Sequence, residues 1–296
     1  MYLAQEIINL EKVDKSFSGI PVIDNLSFTV RRGEILGFLG PNGAGKTTTI
    51  KLIMNLIRLD GGEIKVFGLD SRRHEQEIKQ RIGFVYDRAP FYENLTMAEM
   101  TRLIAPAYRN WDWEAYRKYT SLFELPERKK LSAFSRGMKM KYALVVALSH
   151  RAELLIMDEP TSGLDPVIRR EFLDVLRDVI QDESRAVLFS SHITSDLDQI
   201  ADFVTLIGGG RILFSKSKEE LLEEYALVNG ERSLLDSGLR QYVVGLKESQ
   251  FGFEGLVTNK EEVQRLAEGR AVLTRPNLEE IMLYCLRGKA NGQFGA

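Results

Sequence analysis

A glycine-rich loop constrains the fold of this chain more than any other feature of its sequence. Residues 40–47 read Gly-Pro-Asn-Gly-Ala-Gly-Lys-Thr, which fits the phosphate-loop pattern G-x-x-x-x-G-K-[ST]. The pattern lies between a compact apolar run typical of a strand, at 34–39, and helical apolar spacing at 46–58, a context that argues against a chance match. We expect the loop amides and the following helix to bind phosphate, with Lys46 neutralising it and Thr47 ligating magnesium.

Two adjacent carboxylates carry the second chemical feature. Asp158 and Glu159 follow the apolar run at 154–157, so they are predicted to lie where a buried strand ends. Open α/β sheets hold their ligands at that end of the strands. Asp158 can hold magnesium, and Glu159 can polarise the water that attacks a γ-phosphate. Such a pair alone is more often a solvated loop or a helix cap, and the phosphate loop is what favours the catalytic interpretation.

The order of the predicted elements indicates an α/β fold. Short alternating runs over residues 1–30 predict paired strands, and residues 87–150 are mostly helical in texture. Helical segments separate the predicted buried strands, which implies a parallel sheet covered on both faces. These strands are residues 34–39, 82–85, 154–157, 186–190 and 204–207. After residue 225 the sequence predicts only weaker strands at 241–246 and 270–274 and a helix at 278–286, which indicates a small α+β extension.

Composition and charge limit the classes of function. The 296 residues are 44% hydrophobic, enough for one large or two modest domains. The 40 basic and 42 acidic residues are scattered in short mixed groups, so nucleic acid is disfavoured as the main partner. The first residues lack the features of a secretory signal, and the apolar runs fall short of the roughly 20 residues that cross a bilayer. We therefore expect a cytoplasmic protein that meets a membrane only through a partner, with Cys285 as a buried thiol.

A third motif makes a family resemblance specific. Residues 134–138 read Phe-Ser-Arg-Gly-Met, directly before a predicted helix. With the phosphate loop and the paired carboxylates, this segment resembles the signature of ABC-family nucleotide-binding subunits, over residues 5–225 of the chain. The resemblance implies a P-loop NTPase ABC cassette with a parallel core sheet, an N-terminal antiparallel β subdomain and an α-helical subdomain. It also implies ATP and Mg²⁺ as cofactors.

The signature is expected to act across a dimer. The resemblance implies that Ser135 and Gly137 contact the γ-phosphate of ATP held by the opposite subunit. Phe134, Arg136 and Met138 stand where the family has leucine, glycine and glutamine. The serine and the second glycine, which the phosphate contact needs, are retained. Without the family, Ser135 would be interpreted as a helix cap.

Three further segments resemble family motifs. Residues 162–165, ending in Asp165, resemble the D-loop that meets the partner subunit. The alternative is a plain turn and helix cap before Pro166, which the segment must also form as a D-loop. His192 resembles the switch histidine that contacts the γ-phosphate, whereas a lone histidine is more often structural. Phe17 stands where the family stacks an aromatic ring on adenine, and a core phenylalanine is the competing interpretation.

One position departs from the family in a way that affects coupling. Where the family has a glutamine that reaches magnesium and water, this chain has Asp87, which is shorter and charged. Aspartate can still take a hydrogen bond or bind metal, but the link between ATP state and the helical region would be altered. The following segment, with Phe91 and Tyr92, is expected to form part of a groove for a membrane subunit. Trp111 and Trp113 would contribute to this groove or, alternatively, anchor helix packing.

The predicted site residues group by role. Catalytic roles are assigned to Lys46, Glu159 and His192. ATP-binding roles are assigned to Phe17, Gly40, Pro41, Asn42, Gly43, Ala44, Gly45, Lys46, Thr47 and Thr48. Contacts in trans are assigned to Ser135, Arg136, Gly137, Met138 and Asp165, and metal contacts to Thr47, Asp87 and Asp158.

The resemblance also implies partners and a place in the cell. Residues 1–225 would form the cassette and residues 226–296 a small C-terminal extension, whose final helix resembles that of bacterial exporter ATPases. We expect a homodimer, or a heterodimer with another ATP-binding subunit, held at the inner face of the membrane by an integral transport subunit that exports a peptide, drug or lipid. An ABC ATPase acting on DNA or the ribosome, and a regulatory module without turnover, are the alternatives.

Overall fold

The computed structural model describes residues 5–87 and 90–290. The strands are β1 Glu6–Phe17, β2 Ile20–Arg31, β3 Ile35–Leu39, β4 Gly61–Val66, β5 Leu69–Asp70, β6 Ile82–Val85, β7 Leu154–Asp158, β8 Ala186–Ser191, β9 Phe203–Gly208, β10 Arg211–Ser217, β11 Ala226–Gly230, β12 Val243–Glu248, β13 Phe253–Val257 and β14 Ala271–Thr274. The helices are α1 Lys46–Ile53, α2 Glu75–Gln80, α3 Met97–Ile104, α4 Trp113–Leu122, α5 Arg136–Leu148, α6 Pro166–Ile180, α7 Thr194–Ile200, α8 Lys218–Glu224, α9 Lys260–Ala267 and α10 Leu278–Ala290.

A six-stranded sheet forms the centre of the fold. Its strands lie in the order β10-β9-β3-β8-β7-β6, and all except β10 are parallel. Every residue of β3, β7 and β8 is buried, as expected for strands covered on both faces. The register pairs Leu39 with Ser191 and Asp158 with Ser190. The carboxyl ends of β3, β7 and β8 therefore meet at one edge of the sheet.

An antiparallel sheet from the N-terminal residues packs against this core. Its order is β2-β1-β4-β5, with Leu10 opposite Phe28. Phe28 stacks on Phe38 of the central sheet, with ring centroids 5.2 Å apart. Side chains from both sheets and from α1 share one buried apolar cluster. This contact fixes the loop after β3 against the N-terminal strands.

The helical segment between β6 and β7 contains α3, α4 and α5, each with a side-chain N-cap. Thr96 and Glu99 form a reciprocal capping box on α3, Asp112 caps α4, and Ser135 caps α5. Because Ser135 supplies the cap, α5 begins at Arg136, earlier than the apolar periodicity from residue 139 indicates. In contrast, α1 ends at Ile53, five residues before the predicted end at Arg58, since the chain turns through Asn55 at φ 51°.

The C-terminal residues form a third, antiparallel sheet with the order β12-β13-β11-β14. The sequence patterns predicted strands near β12 and β14 but missed β11, β13 and α9. Helix α10 covers this sheet and also returns to α7 of the central part. Its Leu278, Ile281 and Cys285 are fully buried in the main apolar cluster, so the expected buried thiol is confirmed. Among the described residues, no helix is both long and apolar enough to span a bilayer.

A buried carboxyl group between β2 and β3 gives a pH prediction. Glu34 is only 7% exposed, and burial raises its pKa to about 6, even though the Arg31 amide donates to it at 2.7 Å. The folded state holds this proton more tightly than the unfolded chain, so the protonated group stabilises the fold at low pH. That contribution is lost as the pH rises from 4.5 to about 6.

Glu34→Gln is therefore expected to raise the free energy of unfolding at pH 8 by about 1 kcal/mol, and by less at pH 5. Denaturant unfolding at several pH values measures the difference. Glu11→Gln, on an exposed position of β1, is the matched control. An equal effect of Glu34→Gln at every pH would contradict the assignment.

Candidate functional site

The phosphate loop lies between the buried strand β3 and the start of α1. Close packing requires two of its glycines: a Cβ on Gly40 would lie 2.5 Å from the Ile207 carbonyl oxygen, and one on Gly45 would lie 2.6 Å from Ile23 Cδ1. Gly45 also has a φ of +112°, which L-residues rarely adopt. It is the N-cap of α1 and provides no side-chain cap. The start of α1 thus receives no side-chain cap from Gly45, as expected where an anion binds the first amides of a helix.

Lys46 points into this loop. Its side chain is 6% exposed, and Nζ donates to the carbonyl oxygens of Gly40 at 2.6 Å and Pro41 at 3.2 Å. The same Nζ lies 3.1 Å from Glu159 Oε1. The predicted catalytic lysine and glutamate are thus in direct contact in the structure. That contact is an ion pair without an aligned hydrogen bond, so the buried Glu159 Oε1 retains capacity to accept one.

The two carboxylates lie at the end of β7, as predicted, and have different surroundings. Asp158 is buried and accepts hydrogen bonds from the hydroxyls of Ser190, at 2.8 Å, and Thr47. Burial raises its pKa. Glu159 takes a left-handed φ of 50°, and its amide donates to the Ser190 carbonyl oxygen at 3.2 Å. The chain leaves β7 at this left-handed residue, and the two neighbouring carboxylates have different partners.

His192 follows β8 and reaches Glu159. Its Nδ1 lies 2.6 Å from Glu159 Oε2, and because a carboxylate only accepts, Nδ1 carries the hydrogen. Nε2 is then the ring nitrogen left to face a ligand. The structure thereby joins Lys46, Glu159 and His192 in one line of contacts across the ends of β3, β7 and β8. We name these three residues the catalytic row.

The signature segment lies at the start of α5. The Ser135 hydroxyl accepts from the Met138 amide at 3.2 Å, so the helix-cap interpretation is correct for this serine. Gly137 is required by packing, since a Cβ there would lie 2.5 Å from Ile168 Cδ1 on α6. Asp165 likewise caps α6, accepting from the amides of Val167 and Ile168. These caps leave Ser135 and Asp165 exposed on the surface.

Asp87 contacts the signature in the same chain. Its carboxylate forms an ion pair with the Arg136 guanidinium. Phe17 is 46% exposed at the end of β1, as a surface stacking residue would be. Trp111 and Trp113 pack on each other at 5.7 Å and each on Tyr116, which favours the helix-packing interpretation. Tyr92 is 62% exposed.

Comparison with known proteins identifies the family. A family model described as "ABC transporter" matches residues 23–162, and one described as "AAA domain, putative AbiEii toxin, Type IV TA system" matches residues 129–197. The bacitracin transport ATP-binding protein BcrA of Bacillus licheniformis is 37% identical over 209 residues, covering 70% of this chain and 68% of its own. The chain belongs to the ABC transporter ATP-binding proteins.

Two further matches agree with this ABC ATP-binding protein assignment. An uncharacterised ABC transporter ATP-binding protein of Synechocystis sp. is 31% identical over 283 residues, covering 88% of this chain and 77% of its own. A solved structure described as an ATP-binding subunit of an ABC transporter superposes with a TM-score of 0.67 at 27% identity, covering 73% of this chain and 91% of its own. The predicted family and α/β P-loop NTPase fold are confirmed.

The donor set of this ABC ATP-binding protein fits Mg-ATP. The uncapped start of α1 and the buried Lys46 ammonium suit phosphate, and the Thr47 hydroxyl and Asp158 carboxylate are hard oxygen donors. In residues 5–87 and 90–290 no group of three His, Cys, Asp or Glu side chains converges on a metal position. Magnesium, which is usually held by one or two side chains and substrate phosphates, would therefore depend on the nucleotide for its other ligands.

Sequence reasoning missed two buried polar residues of the central fold. Asp196 is fully buried, accepts from Thr161 Oγ1 at 2.6 Å and pairs with Arg169. His150 is buried just after the end of α5, with its ring nitrogens 3.0 Å from the carbonyl oxygens of Val146 and Ile82. Neither residue lies in a recognisable motif, so no local signal could have identified it.

Proposed function

We propose that this chain hydrolyses ATP and thereby powers export of a peptide, drug or lipid through a separate membrane-spanning subunit. The observation that carries the proposal is the catalytic row, in which one carboxylate contacts both the phosphate-loop lysine and the switch histidine. An ATPase needs a cation for the phosphates and an oriented base beside them. We retain 1–225, including the helical subdomain at 87–150, and 226–296 as proposed domains.

The residues would divide the work as follows. Phe17 stacks on adenine, the loop at 40–45 encloses the β-phosphate, and Lys46 moves from its carbonyl partners to phosphate oxygens. Thr47 and Asp158 would hold magnesium, which supplies charge neutralisation when bound. Glu159 accepts the proton of the water whose oxygen attacks the γ-phosphorus, and ADP leaves with the bridging oxygen. His192, held by Glu159, orients toward the γ-phosphate.

Closure of two subunits would complete the site. Ser135 and Gly137 of a partner copy contact the γ-phosphate in trans. Arg136 and Met138 of the same signature face the bound ATP, and Asp165 helps form the interface. Because ATP makes these contacts only in the closed state, it stabilises the closed dimer by the binding free energy of these contacts. Hydrolysis removes the favoured contact and the subunits separate. Either a homodimer or a heterodimer with another ATP-binding subunit satisfies this scheme.

The membrane partner would dock beside the helical subdomain. Phe91 packs on the buried Tyr142, with centroids 4.6 Å apart, and Tyr92 remains exposed beside it. An anchored aromatic next to an exposed one is a suitable contact centre for a helix from the transport subunit. The relative named for bacitracin transport supports a transport role, and export is the direction that we propose. Such docking would hold the protein at the inner face of the membrane.

Isolation of the chain from membranes tests this function. We expect an integral membrane protein to co-purify with the chain, and the complex to release phosphate from ATP only when magnesium is present. Omission of magnesium by chelation is the matched control. Failure of any integral membrane protein to co-purify with the chain would contradict the transport role. ATP binding without release, even in the complex, would instead favour a regulatory module.

A further inference from the structure

The Asp87–Arg136 ion pair joins two parts of the site that are distant in sequence. Asp87 follows β6, and Arg136 is the first residue of α5, directly after Ser135. The two side chains are about half exposed, at 45% and 47%. Solvent therefore screens the pair, and its open form is only about a few-fold less populated than its closed form.

The Arg136 guanidinium also lies against the D-loop. A Cβ on Gly163, whose φ is +68°, would approach Arg136 Nη1 to 3.1 Å. The guanidinium thus lies among three segments: the one after β6, the signature, and the loop between β7 and α6. Two of these, the signature and the D-loop, are proposed to face a partner copy.

The presence of Arg136 at the start of α5 is not explained by the stability of that helix. A cation in the first turn of a helix faces the positive end of its dipole, and α5 has no acidic residue in that turn to offset it. Asp87 supplies the compensating charge from another segment. Guanidinium groups bind carboxylates and phosphates through the same arrangement of two parallel hydrogen bonds, so a phosphate can replace the carboxylate as partner.

We propose that Asp87 is a competitive latch on Arg136. In the open state Asp87 holds the guanidinium. In the closed dimer of the proposed function, on which this inference rests, Arg136 leaves Asp87 and binds the γ-phosphate on the partner copy. Asp87 is then a positioning residue that lowers the affinity of the closed dimer, and it acts only through Arg136.

The test measures ATP-dependent dimerisation of the full chain in the Glu159→Gln background by sedimentation. Asp87→Asn is expected to lower the dissociation constant of the ATP-bound dimer by about two- to fivefold, because Arg136 no longer has to break an ion pair before the dimer closes. Arg136→Gln is expected to raise this dissociation constant by about tenfold or more. The double variant should match Arg136→Gln alone. Glu93→Gln is the control. It removes the ion pair between Glu93 and Lys139 of α5 and should leave the dissociation constant unchanged.

The possible outcomes distinguish a failure of the latch from a failure of the proposed function. A purely structural pair would make Asp87→Asn weaken the dimer, and independent roles would make the two substitutions additive; either result overturns the latch. Complete absence of an ATP-dependent dimer in the Glu159→Gln background overturns the closed-dimer scheme itself. Binding of a fluorescent ATP analogue to the monomer is measured in the same variants. A loss of binding with Asp87→Asn would assign Asp87 to the nucleotide site of its own chain and overturn the latch.

Discussion

Glu159→Gln is expected to reduce ATP turnover by about 10²- to 10³-fold while leaving ATP binding intact. The substitution keeps the size of the side chain and an oxygen that Lys46 can approach, 3.1 Å away in the wild type. It removes the group that accepts the proton of the attacking water, and general-base catalysis typically contributes that much to rate. Steady-state phosphate release measures the loss, and sedimentation should show an ATP-bound dimer that persists.

Glu171→Gln on α6 is the matched control for this experiment. It replaces a glutamate that pairs with Lys141 and lies outside the catalytic row. Turnover of this variant should stay within a factor of two of the wild type, as for most surface changes. A Glu159→Gln protein that hydrolyses ATP at the wild-type rate would remove Glu159 from the role of base.

Asp196→Ala is expected to cause the largest loss of stability, about 3–5 kcal/mol. The carboxylate is fully buried, accepts from Thr161 at 2.6 Å and pairs with Arg169, whose side chain is 25% exposed. Truncation leaves a half-buried guanidinium and a buried hydroxyl without their acceptor. The midpoint of denaturant unfolding, followed by circular dichroism, measures the effect.

A second aspartate provides the comparison for Asp196. Asp174 on α6 pairs with Arg177 at 2.6 Å, but both side chains are largely solvated. Asp174→Ala should therefore change the free energy of unfolding by no more than about 0.5 kcal/mol. Equal effects of the two substitutions would contradict the assignment of Asp196 as a buried anchor of α6, α7 and the D-loop.

Local patterns determined the chemistry of the site and most of the central elements. Each pattern involves only a few neighbouring residues: the glycine loop, the apolar run before Asp158 and the strand before His192. The sequence alone therefore places these site residues at the ends of strands. The prediction of β6 at residues 82–85 agrees with the structure residue for residue. The C-terminal sheet was predicted only in part, because β11 ends in Asn-Gly and β13 contains Gly255, residues that weaken a strand pattern.

Tertiary structure alone decided which side chains touch. The Glu159–His192 contact spans 33 residues and depends on β7 lying beside β8, which no periodicity encodes. The same holds for Asp87, predicted as a metal contact and found on Arg136, 49 residues away. Strand order, packing of helices and long-range charge pairing arise from burial and desolvation across the whole fold. The sequence therefore determined what chemistry this protein carries, and the folded arrangement decided how its charges are paired.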